Sequence, residues 1–458
     1  MAALIARRTY RVEATSPPPL TDRPHSLFSA ALVVGAMSVV VGMAMLIREQ
    51  IVAHFFGAGD AVDAIVMAMS LPVFLTTVVA TTLASAYVPV AMSLRAREGA
   101  PAGAEFSATM LLLLTAILIA CALVLWLAAP FYIGWIATGF DEGKRRLTEQ
   151  LLYLLLPMLV LGGASAFLTA ELNAAGRFAL PALAPVLVPV LAGAGTYYLH
   201  GEFGIVALAY AMVAGFGLQF LMLGGLLMHR FGVVMPNLER HREEIKGVGR
   251  HYLPLLGGAA LMATTPLLDQ AMAAWLAPGS VALLSFGGII TMFAAGFGTR
   301  VLGGPALSIF SALVAQANWI RLRTEFDRSM KYAILASLPI SVVLLLFSEP
   351  LTALVFGGGA FTAATTREVA WIQQMFCLQI PWYVASIVAV RLLSALGLSR
   401  QIFVIAAANV LCNALLNYLL MRWLGVAGIA LATSLVYALA CAVCWLLARR
   451  HLKLLGGT

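Results

Sequence analysis

The feature that most constrains this chain is the recurrence of apolar stretches long enough to cross a bilayer. Of its 458 residues, 62% are hydrophobic and only 10% are charged, too few polar residues to surround soluble domains. A membrane-spanning helix needs about 20 predominantly apolar residues, and stretches of that length recur about twelve times here, in two sets of six. The sequence therefore predicts an all-α polytopic membrane protein with two six-helix lobes and a central cavity.

The predicted spans have boundaries that hold to within a few residues. They are 28–47, 62–93, 105–128, 150–171, 179–199, 204–229, 251–276, 280–317, 331–356, 368–396, 401–421 and 426–448. Two of them, 62–93 and 280–317, are longer than a bilayer requires, and we expect them to tilt, kink or extend into solvent.

The distribution of basic residues predicts the orientation of the chain. With both termini in the cytoplasm, most of the 28 Lys and Arg residues fall on the cytoplasmic side, as the positive-inside rule requires. The triplet Lys144-Arg145-Arg146 is the clear exception. The net charge of +8 is thus a topology signal and does not indicate a nucleic-acid partner. We expect a multi-pass protein of the bacterial inner membrane.

Similar segments recur in the two halves of the chain. PFYIGWIATGF (130–140) resembles PLTALVFGGGAF (350–361), and NAAGR (173–177) resembles SALGLSR (394–400). Six helices per half give both halves the same orientation, which favours a cavity between two lobes, although a structural pseudo-dimer would show the same repeat. A monomer is expected, since each half supplies one cavity wall. The predicted division is a cytoplasmic tail at 1–27, an N-terminal lobe at 28–230, a cytoplasmic linker at 231–250, a C-terminal lobe at 251–448 and a second tail at 449–458.

Sequence motifs for covalent chemistry are absent. The chain contains no GxxxxGK[ST] segment for ATP phosphates, no HExxH and no Cys/His cluster with zinc spacing. We therefore expect no catalytic residue, no metal centre and no cofactor, and enzymatic activity is disfavoured. Transport without an ATP site would be driven by the membrane potential or by an ion gradient.

Ionisable residues inside the predicted spans are the candidate site residues. A charge at the centre of a membrane helix costs about 2.5–3.5 kcal/mol on insertion scales. Asp269, Arg300 and Arg391 lie deep enough to face a cavity that binds an anionic headgroup or a coupling ion. A structural Asp269–Arg300 ion pair is the alternative. Arg48 and Asp63 flank an outer loop, where snorkelling to the interface would also account for them.

Several segments resemble one known family, in the family's order along the chain. Arg48-Glu49 precedes IVAHFFGAGDAVDAI (51–65), and SLP (70–72) and AYVPV (86–90) follow. LNAAGRFALPALAPVL (172–187), LLDQAMAAWLAPGSVALLSF (267–286) and VFGGGAFT (355–362) match as well. Over residues 30–448 the sequence resembles the MurJ/MviN lipid II flippases, of the multidrug/oligosaccharidyl-lipid/polysaccharide exporter superfamily.

The resemblance implies a fold and a function. The fold is two six-helix lobes in a V that rock to alternate access, and the substrate is a polyprenyl-diphosphate-linked glycan bound in a cationic cavity in contact with membrane lipids. By the same resemblance, Arg48 matches the outer arginine of the first helix and Asp63 matches the aspartate that opens the second. Asp269 falls where relatives carry Asp or Asn.

Departures from the family pattern bear on the substrate. Gly42 and the pair Thr76-Thr77 stand where relatives carry basic residues, and Ile290 aligns near a family arginine, with Arg300 three turns further on. Fewer arginines favour a lipid-linked glycan other than lipid II. A cation-coupled multidrug antiporter is a second hypothesis, requiring an acidic, aromatic cavity in which Asp269 and Asp63 cycle protons. A non-transporting scaffold for glycan assembly is the third.

Overall fold

The protein is helical throughout the part of the chain that the structure describes. The computed structural model describes residues 25–232 and 234–456, with side chains at 34–229, 232, 234–296 and 306–455. The helices are α1 His25–Phe56, α2 Asp60–Leu75, α3 Thr82–Ile136, α4 Glu142–Ala174, α5 Ala179–Leu183, α6 Leu187–Phe203, α7 Val206–Phe231, α8 Arg242–Ala273, α9 Ser280–Ala315, α10 Trp319–Leu346, α11 Ser348–Phe356, α12 Ala363–Cys377, α13 Ile380–Ala395, α14 Ser399–Leu424 and α15 Val426–Gly456.

Long apolar helices account for twelve passes in the described ranges. Nine helical stretches are long and apolar enough to cross a membrane. One of these, Asp60–Ile136, has 77 residues and contains two passes, because Gly99 interrupts it with φ +87°, a conformation that glycine adopts without steric cost. The helices α8 and α9, of 32 and 36 residues, are long enough to supply two further passes. The predicted all-α membrane fold is confirmed.

A proline separates two helices where the sequence predicts a single span. The predicted span 331–356 crosses a helix boundary, because α10 ends within it at Leu346 and α11 follows after Phe347. Pro350 lies in the first turn of α11, where its missing N–H costs nothing, whereas inside a continuous α10 it would remove a hydrogen bond. The predicted linker 231–250 contains the first turns of α8, which is helical from Arg242 onwards.

The long second span contains an irregular turn. Residues Thr76–Thr81 form a π-helical segment between α2 and α3, four residues after Pro72. Thr76 Oγ1 donates to the carbonyl of Pro72 at 2.9 Å. Such wide turns locally unwind a helix and are frequent at functional sites. The predicted span 62–93 therefore contains a break in its regular α-helix, and its tilt, kink or extension into solvent stays a prediction.

The two halves of the chain share one apolar core. That core combines Val52, Ile65 and Leu151 from the first half with Met272 and Phe286 from the second. A separate core lies wholly within the second half, around Phe310, Phe326, Val384 and Leu392. We call the end that carries the loops 57–59, 137–141, 274–279 and 357–362, where backbones of the two halves meet, the sealed end.

Candidate functional site

A cavity of about 1000 Å³ lies between the two halves of the chain. One wall is formed by α1, α2, the π-helical segment, the start of α3 and α7, and the other by α8, α9, α13 and α14. Near the sealed end the lining includes Val52 and Phe286, which are buried. At the opposite end it includes Leu255 and Phe403, each nearly half exposed. The cavity therefore opens away from the sealed end.

The cavity lining contains few charged side chains, and they differ in whether they form an ion pair. Arg48 and Glu49 both line it and form an ion pair with each other, each side chain 19% exposed. Arg391 lines the opposite wall, and it has no ion pair with any described residue. The remaining polar lining is neutral and includes Thr77, Thr81, Thr82, Ser85 and Gln270.

The sequence-predicted site residues divide into three groups. Arg48 and Arg391 line the cavity. Asp63 and Asp269 are buried in two separate polar clusters away from it, with 1% and 7% of their surface exposed. Arg300 lies in α9, but its side chain is outside the described residues, so the predicted Asp269–Arg300 pair stays a prediction. The structure thus joins two of the five residues in one cavity.

Asp63 connects the two halves at the sealed end. Its Oδ2 accepts the N–H of Gly279 at 2.7 Å, and its Oδ1 accepts the N–H of Ala282 at 2.7 Å. These N–H groups belong to the start of α9, and the first N–H groups of a helix have no partner within the helix. A carboxylate of α2 therefore caps a helix of the other half, which charge and helix dipole both favour.

Lys144 completes this cluster. It is buried, forms an ion pair with Asp63 and donates to Oδ1 of Asp60 at 2.7 Å. The sequence analysis treated the triplet 144–146 only as an exception to the charge rule. The structure explains it, because Lys144 is neutralised internally, Arg145 donates to the carbonyl of Thr138 at 2.9 Å and Arg146 pairs with Glu142. The pairing could not be found from the sequence, where 81 residues separate Lys144 from Asp63.

Backbones of the two halves meet directly at the sealed end. A Cβ on Gly279, which has φ +89°, would lie 2.4 Å from the carbonyl oxygen of Ala58, and one on Gly139 would lie 2.1 Å from that of Ala274. In addition, Ala360 N–H donates to the carbonyl of His54 at 2.8 Å. No side chain fits between these segments, so the seal depends on glycine on both sides.

Asp269 lies in a polar cluster formed entirely by the second half. Its Oδ1 accepts from Asn417 Nδ2 at 2.7 Å and its Oδ2 from Thr433 Oγ1 at 3.1 Å. Asn417 Nδ2 also donates to Asn413 Oδ1 at 3.2 Å. The group connects α8, α14 and α15, and it contains a carboxylate with no cationic side chain paired to it among the described residues.

Two amide atoms of this cluster have no partner. Asn417 Oδ1 and Asn413 Nδ2 are buried without a hydrogen bond, and buried polar groups are otherwise almost always paired. Carboxylate, amide and hydroxyl oxygens are the ligands that hard cations prefer. The single negative charge and the spare amide oxygen fit a monovalent cation. The sequence analysis missed both asparagines, although polar residues four apart on one face of an apolar helix were a usable signal.

The positions that depart from the family pattern are occupied by neutral groups. A Cβ on Gly42 would lie 2.3 Å from a ring carbon of Phe293, so α1 and α9 approach closely there. Thr77 lines the cavity, and Ile290 packs against the shared apolar core. At these positions the cavity wall is therefore neutral.

The comparisons with known proteins agree on one family. The profile of the family described as lipid II flippase MurJ matches residues 52–458. A probable lipid II flippase MurJ of Synechocystis is 28% identical, with 94% of this chain and 84% of the relative covered. A probable lipid II flippase MurJ of Thermotoga maritima is 29% identical, with 86% and 79% covered.

Solved structures show the same fold. A lipid II flippase MurJ in an inward closed conformation superposes with a TM-score of 0.78 at 19% identity, covering 91% of this chain and 87% of that one. An inward-facing transporter of the multidrug MATE family gives a TM-score of 0.78 at 16% identity, covering 94% and 99%. Because the family profile matches far more than half of the sequence, this chain belongs to the lipid II flippase MurJ family of membrane transport proteins.

Proposed function

We propose that this protein flips a polyprenyl-diphosphate-linked glycan across the bacterial inner membrane by alternating access, without changing the substrate covalently. The observation that supports this proposal most directly is a cavity between the two halves. Contacts from both halves close it at the sealed end, and it is open at the other end. In this arrangement, separating the halves at the sealed end and joining them at the opposite end would expose the cavity to the other side. The relatives are named for lipid II, and lipid II is the first substrate to test.

The size of the cavity and the pairing of its carboxylate bear on the choice between the flippase and the antiporter. Drug-sized pockets usually enclose about 300–1000 Å³, and this cavity is at the upper limit with about 1000 Å³. A cation antiporter needs accessible carboxylates, but the carboxylate that lines the cavity, Glu49, is paired with Arg48. Asp63 and Asp269, the proton-cycling residues of that hypothesis, lie outside the lining. The cavity therefore supports the flippase over the antiporter.

The topology follows from the same proposal. Both termini are cytoplasmic, the sealed end faces the periplasm, and the cavity opens toward the cytoplasm, where lipid-linked precursors are made available. The lobes are 28–230 and 251–448, joined by 231–250 and flanked by the tails 1–27 and 449–458. A monomer suffices because each lobe supplies one cavity wall, and Arg300 is retained as a further candidate for that wall.

A coupling cation is proposed at the Asp269 cluster. The residues Asp269, Asn413, Asn417 and Thr433 would supply the oxygens, and the spare amide oxygen of Asn417 would gain a partner. A bound monovalent cation would neutralise a carboxylate that otherwise lies buried, which is costly in hydrocarbon. Because the cluster lies within one lobe, cation binding would act by changing how α8, α14 and α15 pack.

Complementation tests the proposed function. The chain is expressed in a bacterium whose own lipid II flippase can be switched off, and survival on depletion is scored. Rescue from lysis is expected. A matched variant, Asp63→Ala, should fail to rescue at the same membrane abundance, because the sealed end then lacks the contact that joins the lobes.

The result that would count against the proposal is that the intact chain does not rescue the depleted bacterium, although it is present at normal abundance and correctly inserted in the membrane. Purified protein in proteoliposomes would then be given other polyprenyl-diphosphate-linked glycans. Flipping of one of these would reassign the substrate within the class. Flipping of none would refute the flippase.

A further inference from the structure

We propose that this protein binds the diphosphate of its lipid substrate at Arg391, on the C-terminal wall of the cavity, and the sugars along the hydroxyl-lined N-terminal wall. The inference rests on the proposed function and specifies where each part of the substrate is recognised. Three observations support it: the pairing of Arg48 with Glu49, the hydrogen bonds that the wall hydroxyls already donate, and the depths of the two arginines in the cavity.

The charge pairing singles out Arg391. Among the described side chains that line the cavity, the cations are Arg48 and Arg391. Arg48 pairs with Glu49 through one terminal nitrogen of its guanidinium, whereas its Nε is buried without a partner; a diphosphate near it would also meet a carboxylate. Arg391 has no ion pair with any side chain that the structure describes, and a guanidinium can donate two parallel hydrogen bonds to one phosphate. An incoming anion therefore gains most at Arg391.

Three hydroxyls of the N-terminal wall already use their protons in hydrogen bonds to backbone carbonyls. Thr77 Oγ1 donates to the carbonyl of Val73 at 2.9 Å, Ser85 Oγ donates to that of Thr81 at 3.0 Å, and Thr82 Oγ1 donates to that of Thr77 at 3.4 Å. Each hydroxyl has one proton, so these oxygens are left as acceptors. Acceptors suit the O–H and N–H groups of a sugar and are unfavourable for a phosphate, which itself only accepts when ionised.

The depths of the two arginines agree with this assignment. Arg391 lies four residues before the end of α13, and Arg48 lies eight residues before the end of α1 at the sealed end. At 1.5 Å per residue these offsets are roughly 6 Å and 12 Å. Arg391 is thus near the cavity opening, where the diphosphate can bind while the polyprenyl tail stays in the bilayer.

Lipid binding to the purified full-length protein in nanodiscs tests the inference. The probes are undecaprenyl diphosphate, undecaprenyl monophosphate and undecaprenol, and affinities are read by native mass spectrometry. Arg391→Ala should weaken diphosphate binding about tenfold or more while leaving undecaprenol unchanged. Arg391→Lys should lose less. Arg367→Ala, an exposed arginine outside the cavity, is the matched control and should bind as the wild type does.

A second variant examines the masking of Arg48. In the Arg391→Ala background, Glu49→Gln should recover part of the diphosphate affinity, because it frees the guanidinium of Arg48. Unchanged binding by Arg391→Ala, with loss in Arg48→Ala, would overturn the assignment. If the wild type rescues the depleted bacterium in that case, the proposed function stands and only the subsite fails. A wild type that neither rescues nor prefers the diphosphate over undecaprenol would refute both.

Discussion

Two buried aspartates of this protein occupy opposite kinds of site. Asp63 joins the halves, because its carboxylate from α2 accepts two N–H groups from the start of α9. Asp269 stays within one half, where its partners come from α14 and α15. Asp63 is paired with a lysine, and Asp269 has neutral partners only among the described residues. Both are acids of predicted spans by sequence, yet the first belongs to a contact between the two halves and the second to the interior of one half.

This difference predicts how each responds to transport. The contacts of Asp63 must break whenever the halves separate at the sealed end, so its environment sets the balance between the two access states. The contacts of Asp269 can persist through that motion, so its environment can hold a cation and change shape locally. Variants at the two sites should therefore affect different measurements.

Asp63→Ala should have the largest effect. It leaves Lys144 buried without Asp63 and two N–H groups of α9 uncapped, and breaking a buried ion pair costs about 3–5 kcal/mol. We expect loss of flipping and a wider sealed end, read as the distance between spin labels at Glu142→Cys and Arg367→Cys. The double variant Asp63→Asn with Lys144→Met removes both charges and should recover part of the short distance. An unchanged distance in Asp63→Ala would show that Asp63 does not connect the halves.

Asp269→Asn should abolish dependence on the coupling cation while leaving the spin-label distance at the sealed end unchanged. Couplings between sites are about 1–3 kcal/mol, or roughly 5- to 150-fold in affinity. The measurement is flipping in proteoliposomes with sodium, potassium or a proton gradient as the imposed ion. Asn413→Ala is expected to act in the same direction. Full cation dependence in both variants would remove the cation from this cluster.

Gly279→Ala should shift the access equilibrium moderately. The residue has φ +89° and the new Cβ would lie 2.4 Å from the carbonyl oxygen of Ala58, so strain of roughly 1–3 kcal/mol favours separation. Gly204→Ala is the matched control, because Gly204 also has positive φ, at +55°, but nothing lies within 4 Å of its Cβ position. The same spin labels should report a longer distance for Gly279→Ala alone. Equal distances in the two variants would mean that backbone strain, and not the contact, is responsible.

Glu171→Gln should have the smallest effect on transport. Glu171 is fully buried, accepts from Tyr87 Oη at 2.7 Å and pairs with Arg95, all within the first half. The change removes a buried charge partner, so thermal stability in detergent should fall, whereas flipping per folded molecule should not. Loss of flipping at unchanged stability would show that this cluster, too, takes part in the motion.

Local sequence patterns account for most of the fold. Hydropathy identified the passes, because each apolar stretch spans the bilayer whatever its neighbours are. Hydropathy did not predict the break at Phe347, between α10 and α11. An apolar stretch that contains a proline has the same hydropathy whether it forms one helix or two. The bend at Gly99 could have been predicted from the sequence, because it requires only a glycine in a short polar segment.

The site was less accessible from the sequence. Charge in or near the predicted spans drew attention to Arg48, Asp63, Asp269 and Arg391, because a charge in hydrocarbon always needs an explanation. It did not say which of them share a cavity. Lys144 and Asn417 were missed since their partners lie 81 and 148 residues away in the chain.

The sequence by itself determined the membrane fold, the family and the small number of charges available for recognition. Only the tertiary structure decided that Phe293 lies against Gly42, that Glu49 pairs with Arg48, and that Asp63 and Asp269 lie outside the cavity. The physical reason is the range of the interactions. Hydropathy and helix breaks act over a few residues, whereas ion pairs and cavity walls depend on which helices pack together, and that is settled by the whole set of helices at once.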